Sequence, residues 1–314
     1  MKLELPSAKR PLKIGTRGSP LALAQAHETR LRLMQAFGLP DDAFEIVVIS
    51  TAGDRVQDRS LKELGGKGLF TREIEEDLIH GFVDIAVHSM KDMPVDQPRG
   101  LVLDCYLPRE DVRDAFVSLS ANGLAELAEA SVVGTSSLRR RAQLLYARPD
   151  LQVVEFRGNV QTRLKKLNDG VASATFLAMA GLNRLRKTKI PCYAIDPEDM
   201  LPAVAQGAIG IERRGGDTRV AEILEPLHHK ETGLRLTAER SFLAALDGSC
   251  QTPIAGLAEL EGGDLRLRGQ ILRTDGTEAF AADLIGAVED GADMGRVMAR
   301  RLLAKAGEGF FDWH

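Results

Sequence analysis

The sequence predicts an α/β fold in which two sheet domains enclose a cleft and a small α+β domain follows them. Its 314 residues are too many for one small core and ordinary for two or three domains. In the first part of the chain, short apolar runs alternate with helical patterns, which is typical of largely parallel sheets. From Glu231 onward, a long helical pattern precedes several strand-like runs, which indicates a separate α+β domain.

The first sheet domain begins with a short strand over Leu12–Thr16. Ser19 can cap the helix that follows, with Pro20 in its first turn. The run Phe44–Ser50 is nearly all apolar, and it predicts a strand that is buried on both faces. A strand over Val83–Val87 then delivers the segment His-Ser-Met-Lys-Asp at its carboxyl end, where open α/β sheets bind ligands.

The alternation of strands and helices restarts after Pro108, and the pattern changes again in the last part of the chain. The predicted strands of the second domain, each followed by a helix, are Ser131–Gly134, Val153–Phe156 and Ala174–Leu177. The predicted elements of the third domain are a helix over Glu231–Leu246, strands over Leu257–Leu260, Leu265–Leu272 and Ala279–Ile285, and a helix over Met294–Ala304.

The net charge of −4 conceals an uneven distribution, because residues 131–190 contain twelve Lys or Arg and three acidic residues. Such a basic segment is often a solvated face. The alternative is a binding surface for a polyanion, either nucleic acid or a ligand that carries several carboxylates or phosphates. Charge alone leaves both possibilities open.

Several classes of protein and site are not supported by the sequence. The amino-terminal segment has no apolar core of a secretion signal, and no apolar run is long enough to span a membrane. Cys105, Cys192 and Cys250 are far apart, which favours a reducing compartment, so we expect a cytoplasmic protein. The histidines lack metal-ligand spacing, and no hydrolase elbow occurs. The Gly-Gly-Lys-Gly run at 65–68 lacks the other residues of a phosphate loop, which leaves Lys67 on a flexible loop.

Two strand-to-helix junctions of the basic segment can form anion sites. Thr135 and Ser136 begin a helix that carries Arg139 and Arg140, and free N–H groups, hydroxyls and forked guanidinium donors all bind carboxylates. The segment 157–163 repeats this arrangement at the next junction. Ordinary helix capping is the alternative interpretation of each junction. Two arginine-bearing junctions on neighbouring strands favour a ligand with several carboxylates.

Two further residues are candidates for chemistry. Asp92 ends the segment that follows the third predicted strand, where an aspartate usually serves as a turn residue or a cap. In a basic cleft, however, one carboxylate is better suited to a ligand that develops positive charge during reaction. Cys250 lies in a glycine-containing turn rather than in an apolar run, which makes it a candidate for covalent chemistry.

Seven ordered segments resemble those of the porphobilinogen deaminase (hydroxymethylbilane synthase) family. They are residues 14–23 (IGTRGSPLAL), 65–70 (GGKGLF), 84–92 (DIAVHSMKD), 133–140 (VGTSSLRR), 157–160 (RGNV), 202–207 (PAVAQG) and 248–254 (GSCQTPI). The resemblance extends from about residue 12 into the carboxyl-terminal domain.

The resemblance implies two domains with the topology of periplasmic binding proteins around a cleft, and a third domain with a cysteine loop. The implied division is 1–107 with 208–227 for domain 1, 108–207 for domain 2 and 228–314 for domain 3. The implied activity is that of a transferase of tetrapyrrole and heme biosynthesis, which joins four porphobilinogen molecules head to tail. A dipyrromethane cofactor, linked to Cys250 by a thioether, primes the chain, and water finally releases hydroxymethylbilane. Loss of ammonia from each substrate gives an electrophilic azafulvenium.

The resemblance also assigns site residues. The positions that match carboxylate-binding residues of the family are Arg17, Ser19, Lys67, Lys91, Arg139, Arg140, Arg157, Arg163 and Arg184. Beside them lie Ser89, Thr135, Ser136, Gly158 and Gln206, and Asp92 matches the catalytic acid. The sequence departs from many relatives at Glu63, where they have lysine, and at Ala205, where some have glycine. The tail from Gly309 onward matches no segment of the family.

Two alternatives come from other classes of protein. A non-catalytic binding protein or effector domain with the same two-lobed fold needs the cleft but neither Cys250 nor Asp92. A nucleic-acid binder could use the arginine-bearing helix, but the basic segment contains few aromatic side chains for base stacking. We therefore expect no nucleic-acid or membrane partner, porphobilinogen as the substrate, and a monomer.

Overall fold

The computed structural model of the chain describes residues 3–55, 68–187, 189–249, 252–307 and 309–311. The chain forms two compact units, each made of two separate segments. The first contains Met1–Glu110 and Ala208–Gly233, and the second contains Asp111–Gly207 and Leu234–His314. Lys67 and Cys250, two of the predicted site residues, lie outside the described residues.

The strands are β1 (Leu12–Arg17), β2 (Phe44–Ile49), β3 (Ile85–Ser89), β4 (Leu101–Tyr106), β5 (Asp114–Ser118), β6 (Val132–Gly134), β7 (Gln152–Val154), β8 (Ala174–Ala178), β9 (Cys192–Ala194), β10 (Ile209–Arg214), β11 (Ile254–Glu261), β12 (Asp264–Leu272) and β13 (Ala279–Ala287). The helices are α1 (Pro20–Phe37), α2 (Ala52–Arg55), α3 (Arg72–Ile79), α4 (Leu138–Ala147), α5 (Val160–Asn168), α6 (Met179–Arg184), α7 (Thr218–Leu224), α8 (Lys230–Ala245) and α9 (Gly291–Ala306). No helix in the described parts of the chain is both long and apolar enough to cross a membrane.

The first unit is built on a five-stranded sheet with the order β2-β1-β3-β10-β4. β1 pairs in parallel with β2 and β3, whereas β10 runs antiparallel between β3 and β4. Ile14, Ile85 and Ile209 from three of these strands are fully buried, and Leu33 of α1 packs in the same core. Because β10 follows the whole second sheet in the chain, the first unit is completed only after the chain returns to it.

The second unit contains two sheets. One has the order β7-β6-β8-β5-β9, in which β5 is the antiparallel strand. This arrangement matches that of the first sheet, with β6, β7 and β8 in the places of β1, β2 and β3. The other is an antiparallel β11-β12-β13 sheet, and α9 packs against β12 and β13. The core of the five-stranded sheet includes Phe116 and Phe176, whose rings meet edge to face at 6.2 Å.

The elements expected from the sequence are confirmed, with small differences at their ends. One burial prediction was wrong. β2 is not buried on both faces, because it forms an edge of the sheet with β1 as its paired neighbour, and Val48 is 57% exposed. The sequence patterns also missed β4, β5, β9, β10 and α7. The division into three domains and the cleft stay predictions, and the small sheet belongs to the same compact unit as the second five-stranded sheet.

Candidate active site

A small cavity of the first unit lies where β1 and β3 end. These two parallel strands are neighbours, so their carboxyl ends place Arg17 and Ser89 at the same edge of the sheet. Asp92 ends the short 3₁₀ turn Met90–Asp92 that follows β3. The residues that line the cavity are Arg17, Ser19, Leu21, Ala22, Gln25, Phe70, Thr71, Val87, His88, Ser89, Asp92 and Met93. The structure thus brings together four residues that the sequence predicted separately: Arg17, Ser19, Ser89 and Asp92.

Asp92 and Arg17 form a loose ion pair in this cavity. Nη1 of Arg17 lies 4.0 Å from Oδ2 of Asp92, and both side chains remain partly exposed, at 22% and 32%. The guanidinium carbon of Arg17 also lies 4.2 Å from the centroid of the Phe70 ring, which fixes the cation by stacking. Because the pair is open to solvent, the Asp92 carboxylate can contact a ligand without first leaving a buried partner.

The two serines of the cavity have structural partners as well. The Ser19 hydroxyl accepts a hydrogen bond from the Ala22 N–H at 3.2 Å and caps α1, as predicted. Ser89 and the buried Gln25 exchange hydrogen bonds between hydroxyl and amide, at 2.8 and 3.0 Å. Lys91 lies half-buried in the same turn as Asp92. These contacts hold the polar groups at the end of β3 in a defined arrangement.

A second group of predicted residues surrounds Asp114 in the second unit. Arg139 and Arg140 lie in the first turn of α4, which the Ser137 hydroxyl caps. Oδ1 of Asp114 accepts hydrogen bonds from Nε and Nη2 of Arg140 at 3.1 and 2.6 Å. Oδ2 lies 2.7 Å from Nη1 of Arg139, as an ion pair without a directed hydrogen bond. All three side chains are buried, so this cluster forms an internal salt bridge.

The charge state of Asp114 follows from its neighbours. Burial alone raises the pKa of this carboxyl group, but the charges of Arg139 and Arg140 outweigh burial and hold the pKa well below its usual range. The amide of Gln206, another predicted residue, donates to Oδ1 of Asp114 at 3.0 Å and to the Val112 carbonyl at 2.8 Å. Asp114 is therefore an anion throughout the physiological pH range.

Arg163 brings a third guanidinium close to this cluster. Its Nε donates to the Gly158 carbonyl at 2.9 Å, and its Nη1 lies 3.4 Å from the Phe176 carbonyl, which also accepts from Nη1 of Arg140 at 2.9 Å. Burial and then repulsion by Arg140 lower the pKa of Arg163 to about 10. Gly158 has a φ of +123°, a conformation that favours glycine.

The remaining predicted residues of the second unit are placed as follows. The Thr135 hydroxyl accepts from the Ser137 N–H at 3.2 Å, and the Ser136 hydroxyl accepts from the Phe156 N–H at 3.0 Å. Nη2 of Arg184 donates to the Gly207 carbonyl at 3.0 Å. Arg157 is half-buried next to Gly158. The Thr135 and Ser136 hydroxyls therefore have partners within the protein, but the helix caps at these two junctions are Ser137 and Asn159.

Ser249 and Thr252, the described residues closest to Cys250 in the chain, are hydrogen-bonded to each other. The Ser249 N–H donates to the Thr252 hydroxyl at 3.0 Å, and that hydroxyl donates to the Ser249 carbonyl at 2.7 Å. Asp247, just before this turn, has a φ of +48°. These bonds join Ser249, which follows α8, to Thr252, which precedes β11.

The sequence interpretation missed several residues of both sites. Asp114 and Gln25 carry no motif that distinguishes them from ordinary polar residues, and Phe70 ends the matched segment 65–70 without a role having been assigned to it. A buried group behind the first cavity was also missed, in which Nε2 of His88 lies 3.2 Å from Oε2 of Glu212. His88 belongs to the segment 84–92 that the sequence singled out, but its partner lies 124 positions away in the chain. Local patterns cannot identify such a partner.

The charge of the second site is suited to a ligand with carboxylates. Among the described residues, Asp114 pairs with both Arg139 and Arg140, and the guanidinium of Arg163 lies close to that of Arg140. This group of three guanidiniums and one carboxylate carries a surplus of positive charge. Nε of Arg139 is buried and donates to no acceptor within the described part of the chain. Ligand carboxylates can supply both the missing negative charge and the missing acceptor.

Comparisons with known proteins agree with this site chemistry. A family model described as porphobilinogen deaminase, dipyromethane cofactor binding domain, matches residues 12–222, and a second, described as porphobilinogen deaminase, C-terminal domain, matches residues 233–304. The chain is 65% identical over 310 residues to a porphobilinogen deaminase of Paracoccus denitrificans, which covers 99% of each chain.

Similar solved structures include two binding proteins. The methionine binding protein MetQ is 14% identical, with 71% of this chain and 89% of that chain covered and a TM-score of 0.42. The periplasmic aliphatic sulphonate binding protein SsuA from Escherichia coli is 13% identical, with 76% and 70% covered and a TM-score of 0.39. Scores of this size carry no argument by themselves. The two family models and the full-length relative show that the chain belongs to the porphobilinogen deaminase family.

Proposed function

We propose that this enzyme joins four porphobilinogen molecules head to tail on a dipyrromethane that is attached to Cys250, and releases hydroxymethylbilane. The observation that carries this proposal is the surplus of positive charge around Asp114. It lies within the residues that match the cofactor-binding family model. Each porphobilinogen has an acetate and a propionate, so a growing chain needs a site that accepts many carboxylates.

The arginine cluster is suited to hold the carboxylates of the cofactor and of the substrates. Arg139 offers its buried Nε, and Arg163 has carbonyl partners but no fixed carboxylate in the described part of the chain. The dipyrromethane, when bound, supplies the free α-carbon to which the first substrate is joined. Arg17, Lys91, Arg157 and Arg184 add cations at the other predicted positions, with Ser19, Ser89, Thr135, Ser136, Gly158 and Gln206 beside them. Lys67 is proposed for the same role from its sequence match alone.

Asp92 has a different role, because its negative charge opposes the binding of anionic ligands. Its favourable contribution must come from species that gain positive charge, namely the protonated leaving amine and the pyrrole from which ammonia departs. Arg17 keeps the carboxylate in the cavity without burying it. We infer that Asp92 accepts hydrogen bonds from pyrrole N–H groups and stabilises the developing cation, which makes it the catalytic residue.

The location and assembly of the enzyme belong to the same proposal. The widely spaced cysteines favour a reducing compartment, and Cys105 is buried, where a disulfide to another chain is unfavourable. We therefore propose a cytoplasmic monomer that binds porphobilinogen and neither nucleic acid nor membrane. Sedimentation of the purified protein at several concentrations tests the monomer, and a constant dimer mass would contradict it.

Intact-protein mass spectrometry tests the proposed function directly. The active protein should exceed its sequence mass by two porphobilinogen units less two ammonias, and Cys250→Ala should carry no adduct and show no activity. Cys192→Ala is the matched control, since Cys192 is exposed on β9 and should leave the adduct unchanged. An active enzyme of unmodified mass would exclude the covalent cofactor. Reversible binding of a small anion without turnover would instead support the binding-protein alternative.

A further inference from the structure

We propose that Asp114 is a positioning residue that orients Arg139 and Arg140 for the carboxylates of the ligand. Its two carboxylate oxygens are divided between the two arginines, with Oδ1 bonded to Nε and Nη2 of Arg140 and Oδ2 paired with Nη1 of Arg139. This inference rests on the proposed function, in which these arginines hold carboxylates.

Each guanidinium is held from a second direction by a backbone carbonyl. Nη1 of Arg140 donates to the Phe176 carbonyl at 2.9 Å, and Nη1 of Arg139 donates to the Leu201 carbonyl at 2.9 Å. Arg140 is thus held at two edges, by Asp114 at Nε and Nη2 and by the Phe176 carbonyl at Nη1. Arg139 is held at Nη1 by both Asp114 and the Leu201 carbonyl. For Arg139, this leaves Nε buried and without an acceptor within the described residues. The donor is therefore already oriented before a ligand carboxylate arrives.

Asp114 is itself fixed in place, and its negative charge opposes direct contact with the carboxylates of a ligand. It is the first residue of β5 and is fully buried. Its backbone pairs with Ala178 of β8 and accepts a hydrogen bond from the N–H of Ile195, which follows β9. Gln206 adds a third donor to Oδ1, and it contacts the Val112 carbonyl with the same amide nitrogen. Any effect of Asp114 on ligand binding must therefore act through its neighbours.

Two other roles for Asp114 give different expectations. As a purely structural ion pair, Asp114 would stabilise the second unit without affecting ligand affinity. As a competitor, it would occupy the guanidinium groups and weaken ligand binding by reducing their charge. The divided contacts favour positioning, because Asp114 leaves Nε of Arg139 unoccupied instead of binding both edges of that guanidinium. A measurement of ligand loading separates the three roles.

The experiment measures how much porphobilinogen the cofactor-free, full-length protein needs for half-maximal loading of the two-pyrrole adduct, as determined by intact mass. We expect Asp114→Asn to need at least ~10-fold more porphobilinogen than wild type, since charge-assisted contacts lose their alignment. Asp114→Glu keeps the charge but moves the carboxylate by one methylene. This variant should also need several-fold more porphobilinogen than wild type. Asp150→Asn is the matched control, because Asp150 pairs with Arg148 at 2.7 Å in the same unit and carries no assigned site role.

The outcomes distinguish the proposals. If Asp114→Asn loads at the same porphobilinogen concentration as wild type and only its thermal midpoint falls, Asp114 is a structural residue. If it loads at a lower porphobilinogen concentration than wild type, Asp114 is a competitor of the ligand. Either result overturns the positioning role. If Asp114→Asn does not fold, Asp114→Glu decides, because wild-type loading of that variant would show that charge alone matters. A wild-type protein that never loads would refute the proposed function itself.

Discussion

The guanidinium of Arg17 lies 4.0 Å from the Asp92 carboxylate, an ion pair at the limit of direct contact. Arg17 is held by the Phe70 ring at 4.2 Å, so it does not need Asp92 as its main partner. A carboxylate that is close to a cation but not hydrogen-bonded to it keeps its acceptor oxygens for a ligand. This geometry supports a catalytic rather than a structural role for Asp92.

Asp92→Asn should therefore reduce kcat by at least ~10²-fold, which is the lower end of the contribution of a positioned acid or base. KM should change little, because the charge acts on a cation that forms only during the reaction. The variant must be reconstituted with preformed hydroxymethylbilane, since the enzyme builds its own cofactor. Asp96→Asn, an exposed aspartate in the following loop, is the control and should retain full activity. Turnover of Asp92→Asn within tenfold of wild type would make Asp92 a binding or structural residue.

The Arg140–Asp114 pair predicts a large effect on stability. Both side chains are buried, so Arg140→Leu leaves Asp114 with less compensation for its buried charge. We expect a loss of about 3–5 kcal/mol in the free energy of unfolding. Urea denaturation followed by circular dichroism measures this loss. Arg266→Leu removes a more exposed pair with Asp283 and should cost about 0–1 kcal/mol. Equal effects of the two substitutions would contradict the structural importance of the buried pair.

Glu75 predicts a pH dependence of stability. Burial and then the charge of Glu212 raise the pKa of Glu75, and the opposing effects of Thr71 and His88 do not cancel this rise. The folded state therefore binds a proton more strongly than the unfolded state, whose glutamate titrates near pH ~4.3. Stability is fully retained below that value and falls as the pH rises through the pKa of the folded protein.

Glu75→Gln should remove this component of the pH dependence. The variant should gain stability relative to wild type as the pH rises above ~4.3, because an amide cannot ionise. Urea midpoints measured between pH ~4 and ~8 test the expectation. Glu76→Gln changes an exposed residue of the same helix, and its curve should remain close to that of wild type. If the urea midpoints of Glu75→Gln and wild type differed by the same amount at every pH in this range, the raised pKa of Glu75 would be refuted.

The backbone conformation of Gly158 predicts that its replacement will lower both stability and ligand loading. Its φ of +123° is unfavourable for other residues, and a Cβ there would lie 2.6 Å from Cγ2 of Thr162. Gly158→Ala should cost about 1–3 kcal/mol of stability. It should also weaken ligand loading, because the Gly158 carbonyl holds Nε of Arg163. Gly123→Ala is the control, since Gly123 has extended backbone and open space around its Cα. Similar loading by both variants would indicate that Gly158 does not position Arg163.

The local parts of this protein could be derived from its sequence. The apolar strand before Asp92, the serine cap before Pro20 and the hydroxyl-arginine junction at 135–140 are short-range patterns. They predicted β3, α1 and α4, which the structure contains. The pairing of β1 with β3 is a tertiary feature, and it places Arg17, Ser89 and Asp92 at one sheet edge because parallel neighbours end together. Motifs therefore determined these local elements and the membership in the family, but not the first cavity.

Tertiary structure alone decided how the charged groups are paired and which surfaces are buried. Asp114 has no motif, yet pairing between β5 and β8 brings it to Arg139 and Arg140, 25 and 26 positions further along the chain. The partner of His88 on β10 and the exposed edge of β2 are likewise set by strand order. The periodicity of apolar residues predicts which face of an element is apolar, but it does not predict which other element packs against that face. The burial and charge of a site depend on that second element, so they follow only from the assembled sheets.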